Sequence, residues 1–141
     1  TLRLAPGLQD CRLFHLGPAV GTREIATCVD HVDDLTLAGY YRQCQWIAGL
    51  RRIEGFELPA VEGLFCGARP LLFDRPHFRH WYQDLADYIP EDANRDHVIQ
   101  SLVSLLSQPE RRVTHDEIQR AHKIFNWSLL VGGFFHRLQG Y

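Results

Sequence analysis

Short apolar runs alternate along the chain with segments in which apolar residues return every three or four positions. The short runs predict buried strands at residues 11–16, 24–29, 45–49, 69–73 and 85–89. The segments between and after them have the helical period and predict amphipathic helices. Strands that alternate with helices are typical of βαβ units. The pattern therefore predicts an α/β fold, with a doubly wound, Rossmann-like parallel sheet flanked by helices.

Residues at the ends of the helical segments agree with this division. Pro59 can open a helix because the first turn needs no N–H from it, and Gly67 is a standard helix stop. Thr114 and Glu117 have the spacing of a capping box. Further helices are predicted from Asp33 and Asp34 to Cys44, from Pro76 through Tyr82, over residues 94–106 and from Asn126 to Leu138.

The start of the chain does not match a complete doubly wound domain. Residues 2–8 predict the tail of a helix, ended by Pro6 and Gly7, whereas such a domain opens with a strand. The first residue is Thr1, and the sequence contains no Met. We therefore predict a single domain over residues 1–141 that lacks its first strand and belongs to a longer protein.

Composition narrows the classes of function. The net charge is −2 and the pI is about 6.4, whereas nucleic-acid-binding domains are usually basic, so no nucleic-acid partner is expected. No apolar run is long enough to span a bilayer, and no signal peptide is recognisable. The 4 cysteines form no CxxC pair and lie in or beside apolar runs. This favours a reducing, cytoplasmic location.

The segment from Glu54 to Glu62 joins the third predicted strand to the helix that Pro59 opens. In an open α/β sheet, ligands bind at the carboxyl ends of the strands, and a helix start there offers N–H groups to a diphosphate. Gly55 lets the backbone approach a ligand closely. The carboxylates of Glu54 and Glu62 are placed to accept hydrogen bonds from sugar and ribose hydroxyls. Acidic residues also occur near helix starts because they favour the dipole, and the residues alone leave both interpretations open.

The sequence EGFELPAVEGLFCGARPLLFD, from Glu54 to Asp74, resembles the E-x7-E motif of the retaining GT-B glycosyltransferases, whose common form is roughly EGFGLPxxEAMACGxPVVAxD. Other stretches resemble this family in the same order along the chain. They are a strand ending in Gly17–Pro18, an acidic turn and Leu-and-Tyr helix at 29–41, a Leu-rich helix and Pro turn at 102–109, and a Phe-x-Trp at 125–127. The resemblance implies the C-terminal, donor-binding half of a GT-B fold.

The resemblance also implies roles for individual residues. Glu54 is expected to be the catalytic-site residue that contacts hydroxyls of the donor sugar, and Glu62 is expected to bind the ribose. The backbone amides expected to contact the sugar and the diphosphate are those of Gly55, Phe56, Glu57 and Leu58. Neither a metal nor a cofactor is expected, because positive side chains and the helix end neutralise the leaving diphosphate. The nucleoside-diphosphate sugar is the donor substrate.

The same resemblance implies the partners. They are an N-terminal acceptor-binding domain, absent from this sequence, and a saccharide or lipid-linked acceptor, as in the biosynthesis of polysaccharides. Because many members of the family use lipid-linked acceptors, a peripheral contact with the inner face of the membrane is left open. The family's Arg and Lys that grip the diphosphate follow a strand upstream of Thr1, so they are not assigned here.

Two departures from the family pattern keep other functions open. Glu57 stands where the family has its second Gly, and its carboxylate either repels the diphosphate, alters the loop, or points to solvent or to an acceptor. Leu50 and Arg51 replace a Pro–Ser pair, and Arg51 either adds positive charge near the phosphates or is solvated. The alternatives are a non-catalytic GT-B-like module for assembly or regulation, and a phosphorylase of the same fold.

A few other side chains are candidates for metal ligands or site residues. The acidic run from Asp30 to Asp34 includes His31 and suggests a metal site or the DxD motif of a different glycosyltransferase fold, but helix capping by Asp33 and Asp34 explains it more simply. Asp74, His77 and His80 have a spacing that metal ligands can adopt on a helix, and Asp74 is also a weak candidate for the donor site. Residues expected in the core are Trp81, Tyr82 and Trp127. The pairs Arg51–Arg52 and Arg111–Arg112 are expected to be solvated.

Overall fold

The computed structural model of the protein describes residues 11–17, 26–53, 55–92 and 94–139. Its strands are β1 (Phe14–Leu16), β2 (Thr27–Val29), β3 (Trp46–Gly49), β4 (Arg69–Phe73) and β5 (Asp87–Ile89). Its helices are α1 (Asp34–Gln43), α2 (Leu58–Phe65), α3 (Pro76–Tyr82), α4 (Arg95–Leu106), α5 (His115–Ile124) and α6 (Trp127–Gln139). The helix tail predicted at residues 2–8, and Glu24 and Ile25 of the second predicted strand, lie outside the described residues.

All the strand pairs are parallel, which confirms the predicted α/β class. β1 pairs with β2, and β4 lies between β3 and β5. Within the described residues these are two separate hydrogen-bonded sheets, of 2 and 3 strands. The first and last strands are shorter than predicted, because residues 11–13 and 85–86 lie outside the ladders. The single domain lacking a first strand stays a prediction.

The side chains of β4 alternate between two faces and build a core on each. Leu72 packs on one side with residues of α2, α3 and α5. Leu71 and Phe73 pack on the other side with Ile89 and with the apolar face of α4. All five residues of β4 are buried, as expected of a strand covered by helices on both faces. The result is a parallel sheet between two layers of helices.

The helix boundaries follow the start and stop signals in the sequence. The side chain of Asp33 accepts a hydrogen bond from the Thr36 backbone N–H at 2.8 Å, and Thr114 with Glu117 forms the complete capping box. Asn126 accepts a hydrogen bond from the Leu129 N–H at 3.2 Å. Gly67 follows α2 with φ +92°, a conformation that glycine adopts without strain. These caps confirm the predicted starts of α1, α5 and α6.

Arg69, the first residue of β4, has a guanidinium that is almost completely buried, with 2% of the side chain exposed. Its Nε donates to Asp87 at 2.8 Å, Nη1 donates to Glu117 at 3.3 Å, and Nη2 donates to the Asp84 carbonyl at 2.6 Å. The indole N–H of Trp46 donates to the other oxygen of Asp87 at 2.9 Å. One buried arginine thus joins the beginnings of β3, β4 and β5 to the start of α5, at the amino edge of the sheet.

Two helical glycines are expected to respond to alanine in opposite directions. A Cβ at Gly63 of α2 would lie 2.7 Å from Ile47 Cγ2 and 3.0 Å from Ile47 Cβ, so the helix would have to move away from β3. We expect Gly63→Ala to lower the free energy of unfolding by about 1–3 kcal/mol, the usual cost of overpacking. Nothing lies within 4 Å of a Cβ at Gly39 in α1, so Gly39→Ala should stabilise the protein. Chemical denaturation measures both, and stabilisation by both variants would contradict the close contact of α2 with β3.

Candidate functional site

The segment singled out in the sequence forms the loop between β3 and α2, at the carboxyl end of β3. β3 ends at Gly49 and α2 begins at Leu58, with Pro59 in its first turn, as predicted. Glu54 lies outside the described residues, so the predicted sugar contact has no described position. The described part of the site runs from Gly55, which is exposed, to Glu62 on α2.

Glu57 precedes α2 and is 2% exposed. Its carbonyl accepts hydrogen bonds from the N–H groups of Ala60 at 3.1 Å and Val61 at 3.3 Å, and from the buried Tyr82 hydroxyl at 2.8 Å. Burial, and then the charge of Glu57, raise the pKa of Tyr82. The side chain lies against Gly49, where a Cβ would meet Glu57 Cγ and Cδ at 3.0 Å. The interpretation that Glu57 points to solvent is therefore wrong, because the loop is anchored inward at this residue.

Phe56 packs into a group of aromatic rings between the loop and the helices that follow. Its ring centroid lies 5.8 Å from Trp81, 6.5 Å from Tyr82, 5.9 Å from Phe125 and 5.9 Å from Trp127. Tyr82 is fully buried and Trp81 is partly buried, as expected of core residues. Trp127 is 61% exposed, so its assignment to the core was wrong. It is the first residue of α6, and its ring contacts that of Phe56 while most of its surface stays exposed.

Glu62 is exposed and lies one turn into α2, just beyond the first turn of the helix. Its Oε2 accepts a hydrogen bond from the Tyr41 hydroxyl at 3.0 Å. Tyr41, on α1, is 4% exposed. Its burial raises the pKa of the phenol, and the hydrogen bond to Glu62 raises it further. The sequence indicated only that Tyr41 lies on one side of its helix with other apolar residues, and so gave no sign of this contact.

The loops that follow β3, β4 and β5 are tied together by arginines. Arg75 makes two bonds to the Glu91 carboxylate, at 2.5 and 2.7 Å, and donates to the Arg52 carbonyl. This pairing lowers the pKa of Glu91. Arg52 itself donates to the Asp92 carbonyl at 3.1 Å, so it is not merely solvated as expected. Sequence reasoning missed Arg75, whose partner lies on another loop at the carboxyl edge of the sheet.

The two weaker metal hypotheses find no support in the geometry. Asp74 is engaged by Arg79 through two hydrogen bonds of 2.7 and 2.8 Å, which lower the pKa of Asp74. Asp33 is the cap of α1, and His31 Nε2 is 3.8 Å from Asp30. Across the parts of the chain that are described, no group of three or more His, Cys, Asp or Glu side chains could hold a metal ion. Likewise, none of the described helices is long and apolar enough to cross a membrane.

Comparison with known proteins places this geometry in a class of folds. No protein-family model matches the chain, and no curated protein matches it. The parallel strands flanked by helices have the arrangement found in half of a GT-B fold. The chain is similar to sucrose-phosphate synthase from Thermosynechococcus elongatus, with a TM-score of 0.68 and 18% sequence identity. The match covers 92% of this chain and 39% of that one. At this identity the likeness shows the fold, and the chain corresponds to less than half of the synthase.

Proposed function

We propose that the chain is the donor-binding module of a glycosyltransferase. It binds a nucleoside-diphosphate sugar at the carboxyl end of β3 and contributes to transfer of the sugar, with retention of configuration, to a saccharide or lipid-linked acceptor. The fold supports this proposal in general terms. The sequence resemblance between Glu54 and Asp74 supports the particular site.

The observation that carries the proposal is the position of Glu62. Glu62 is an exposed residue beside the loop that enters α2, at the sheet edge where open α/β domains bind ligands. Within the described residues, Tyr41 is the one hydrogen-bond donor to this carboxylate, and Oε1 receives none. A carboxylate that still has unoccupied hydrogen-bond acceptor positions can accept hydrogen bonds from the two neighbouring hydroxyls of a ribose.

The rest of the proposed site comes from the same loop. Glu54 would accept hydrogen bonds from hydroxyls of the donor sugar. The amides of Gly55, Phe56, Glu57 and Leu58 would face the sugar and the diphosphate, with the positive end of α2 behind them. No metal or cofactor is proposed. Further positive charge would come from the Arg and Lys that follow a strand upstream of Thr1. The surface that holds the acceptor would come from an acceptor-binding domain.

A second candidate is a non-catalytic module of the same fold, and the position of Glu57 favours it. This carboxylate is buried at the start of α2, within the region where a diphosphate would lie. Like charges at close range oppose binding, and a buried negative charge is screened less than an exposed one. A protein that keeps the fold for assembly or regulation would tolerate Glu57, whereas a transferase must bind its donor in spite of it.

A nucleotide panel tests the two candidates. Thermal denaturation of the purified protein is measured with UDP, GDP, ADP and their common sugar conjugates. A ligand at 100 times its dissociation constant should stabilise the protein by about 2.7 kcal/mol. We expect one base to be preferred and its sugar conjugate to bind at the same site.

The protein that contains this chain is then assayed for sugar transfer, with Glu54→Gln as the variant. Transfer that Glu54→Gln abolishes would establish the transferase. Donor binding without transfer would favour the non-catalytic module. Failure of every nucleotide to bind would overturn the proposed donor site.

A further inference from the structure

The hydrogen bond between Tyr41 and Glu62 joins a buried residue to an exposed one. Tyr41 belongs to α1 and Glu62 to α2, two helices that pack together. The phenol is 4% exposed, so the position of its hydroxyl is set by the packing around the ring. The carboxylate that receives the 3.0 Å hydrogen bond belongs to a side chain on the surface.

An exposed glutamate normally samples many rotamers, and binding a ligand must first select one of them. A donor fixed by the core selects that rotamer before the ligand arrives. The bond occupies one acceptor position on Oε2 and leaves the second position and all of Oε1 for other donors. A pair of vicinal hydroxyls needs two acceptor positions held at a fixed separation, and this arrangement supplies them.

We propose that Tyr41 is a positioning residue that orients Glu62 and thereby sets the preference of the site for ribose over 2′-deoxyribose. This inference rests on the proposed function and adds a residue to it. Tyr41 does not touch the ligand and acts through the carboxylate of Glu62. A merely structural role would make the same bond, because a buried hydroxyl requires an acceptor, and Glu62 would then serve only to satisfy Tyr41.

The two roles differ in what Tyr41→Phe changes. Dissociation constants are measured for UDP, GDP and ADP and for their 2′-deoxy counterparts, with the wild type, Tyr41→Phe, Glu62→Ala and the double variant. The quantity compared is the ratio of the two dissociation constants for each base. Tyr40→Phe is the matched control, because Tyr40 neighbours Tyr41 on α1 and its ring contact with Phe14, at 5.4 Å between centroids, does not need the hydroxyl.

We expect Tyr41→Phe to reduce the preference for ribose by roughly three- to tenfold, as expected when a charged acceptor loses its orienting bond. Glu62→Ala should abolish the preference, and adding Tyr41→Phe to it should change nothing more. Tyr40→Phe should keep the wild-type ratio. Glu62→Asp leaves the buried tyrosine intact but withdraws the carboxylate from it. If Tyr41→Phe folds poorly, Glu62→Asp takes its place in the comparison and should show the same reduced preference for ribose.

Contrary outcomes separate this inference from the function on which it rests. The role of Tyr41 would be overturned if Tyr41→Phe kept the wild-type preference for ribose while Glu62→Ala lost that preference. The proposed donor site would remain supported in that case. If Tyr41→Phe weakened binding of the ribonucleotides and the 2′-deoxyribonucleotides equally, and did so in the Glu62→Ala variant as well, the role of Tyr41 would be structural. A wild-type protein that binds ribonucleotides and 2′-deoxyribonucleotides equally would overturn the roles of both Tyr41 and Glu62, whereas failure of every nucleotide to bind would overturn the donor site itself.

Discussion

Replacing Arg69 with methionine is expected to lower the free energy of unfolding by about 3–5 kcal/mol, the usual cost of removing one partner from a buried ion pair. The variant keeps most of the aliphatic volume but leaves the carboxylate of Asp87 without its cation and Glu117 with only the more exposed Arg111, at 3.2 Å. The side chains of Asp87 and Glu117 are only 19% and 13% exposed, so water can replace the guanidinium only in part. The carbonyl of Asp84 would also lose its 2.6 Å donor.

The loss would be large for a domain whose total stability is on the order of 5–15 kcal/mol. Arg112→Met is the matched control, because Arg112 also pairs with a carboxylate, Glu110, but both side chains are more than half exposed. Exposed pairs of this kind contribute little. Urea denaturation of both variants measures the difference. Similar small effects for Arg69→Met and Arg112→Met would contradict a stabilising role for the buried network.

Replacing Glu62 with alanine is expected to weaken binding of a nucleoside diphosphate by roughly 10- to 100-fold, since hydrogen bonds to a charged acceptor contribute about 1.5–3 kcal/mol. The free energy of unfolding should fall by about 1–3 kcal/mol, because Glu62 itself is exposed but its removal leaves the buried Tyr41 hydroxyl without its acceptor. Isothermal titration of the preferred nucleotide gives the affinity, and denaturation gives the stability. A loss of affinity at a temperature where the variant remains fully folded is the signature of a binding residue.

The control for this variant is Glu110→Ala. Glu110 is also an exposed glutamate, but it belongs to the connection between α4 and α5. That connection reaches Gly67, beside the start of β4, through the Val113 N–H at 3.4 Å. It therefore lies near the amino edge of the sheet, opposite the loop that enters α2. Unchanged affinity in Glu62→Ala, or an equal loss in Glu110→Ala, would remove Glu62 from the proposed site.

The local signals in the sequence were sufficient for most of the fold. The helical spacing of apolar residues and the capping residues predicted the bounds of α1, α5 and α6 to within a residue or two. The continuous apolar run at 69–73 coincides with β4. These features depend on residues that are close together in the chain, so they can be predicted from the sequence alone. The candidate loop was found for the same reason, since its glycine, proline and two glutamates lie within a single short segment.

Contacts between distant residues account for what the sequence did not indicate. Arg69 looked like the start of a strand, yet its partners are 18 and 48 residues away, and only the packed sheet brings them to one guanidinium. Trp127 is a residue type often found in the core, yet it stays 61% exposed although its ring contacts that of Phe56. Glu57 turned inward because Gly49 leaves room for its side chain.

The sequence by itself determined the order and type of the elements, the α/β class and the segment where a donor site is proposed, because all of these follow from short-range pattern. Only the tertiary structure decided which groups in that segment are available to a ligand. It buried Glu57, left Glu62 on the surface and joined Glu62 to Tyr41 across 21 residues of sequence. Burial and side-chain pairing depend on how α1, α2 and the sheet pack against each other, and that information does not reside in any one stretch of the chain.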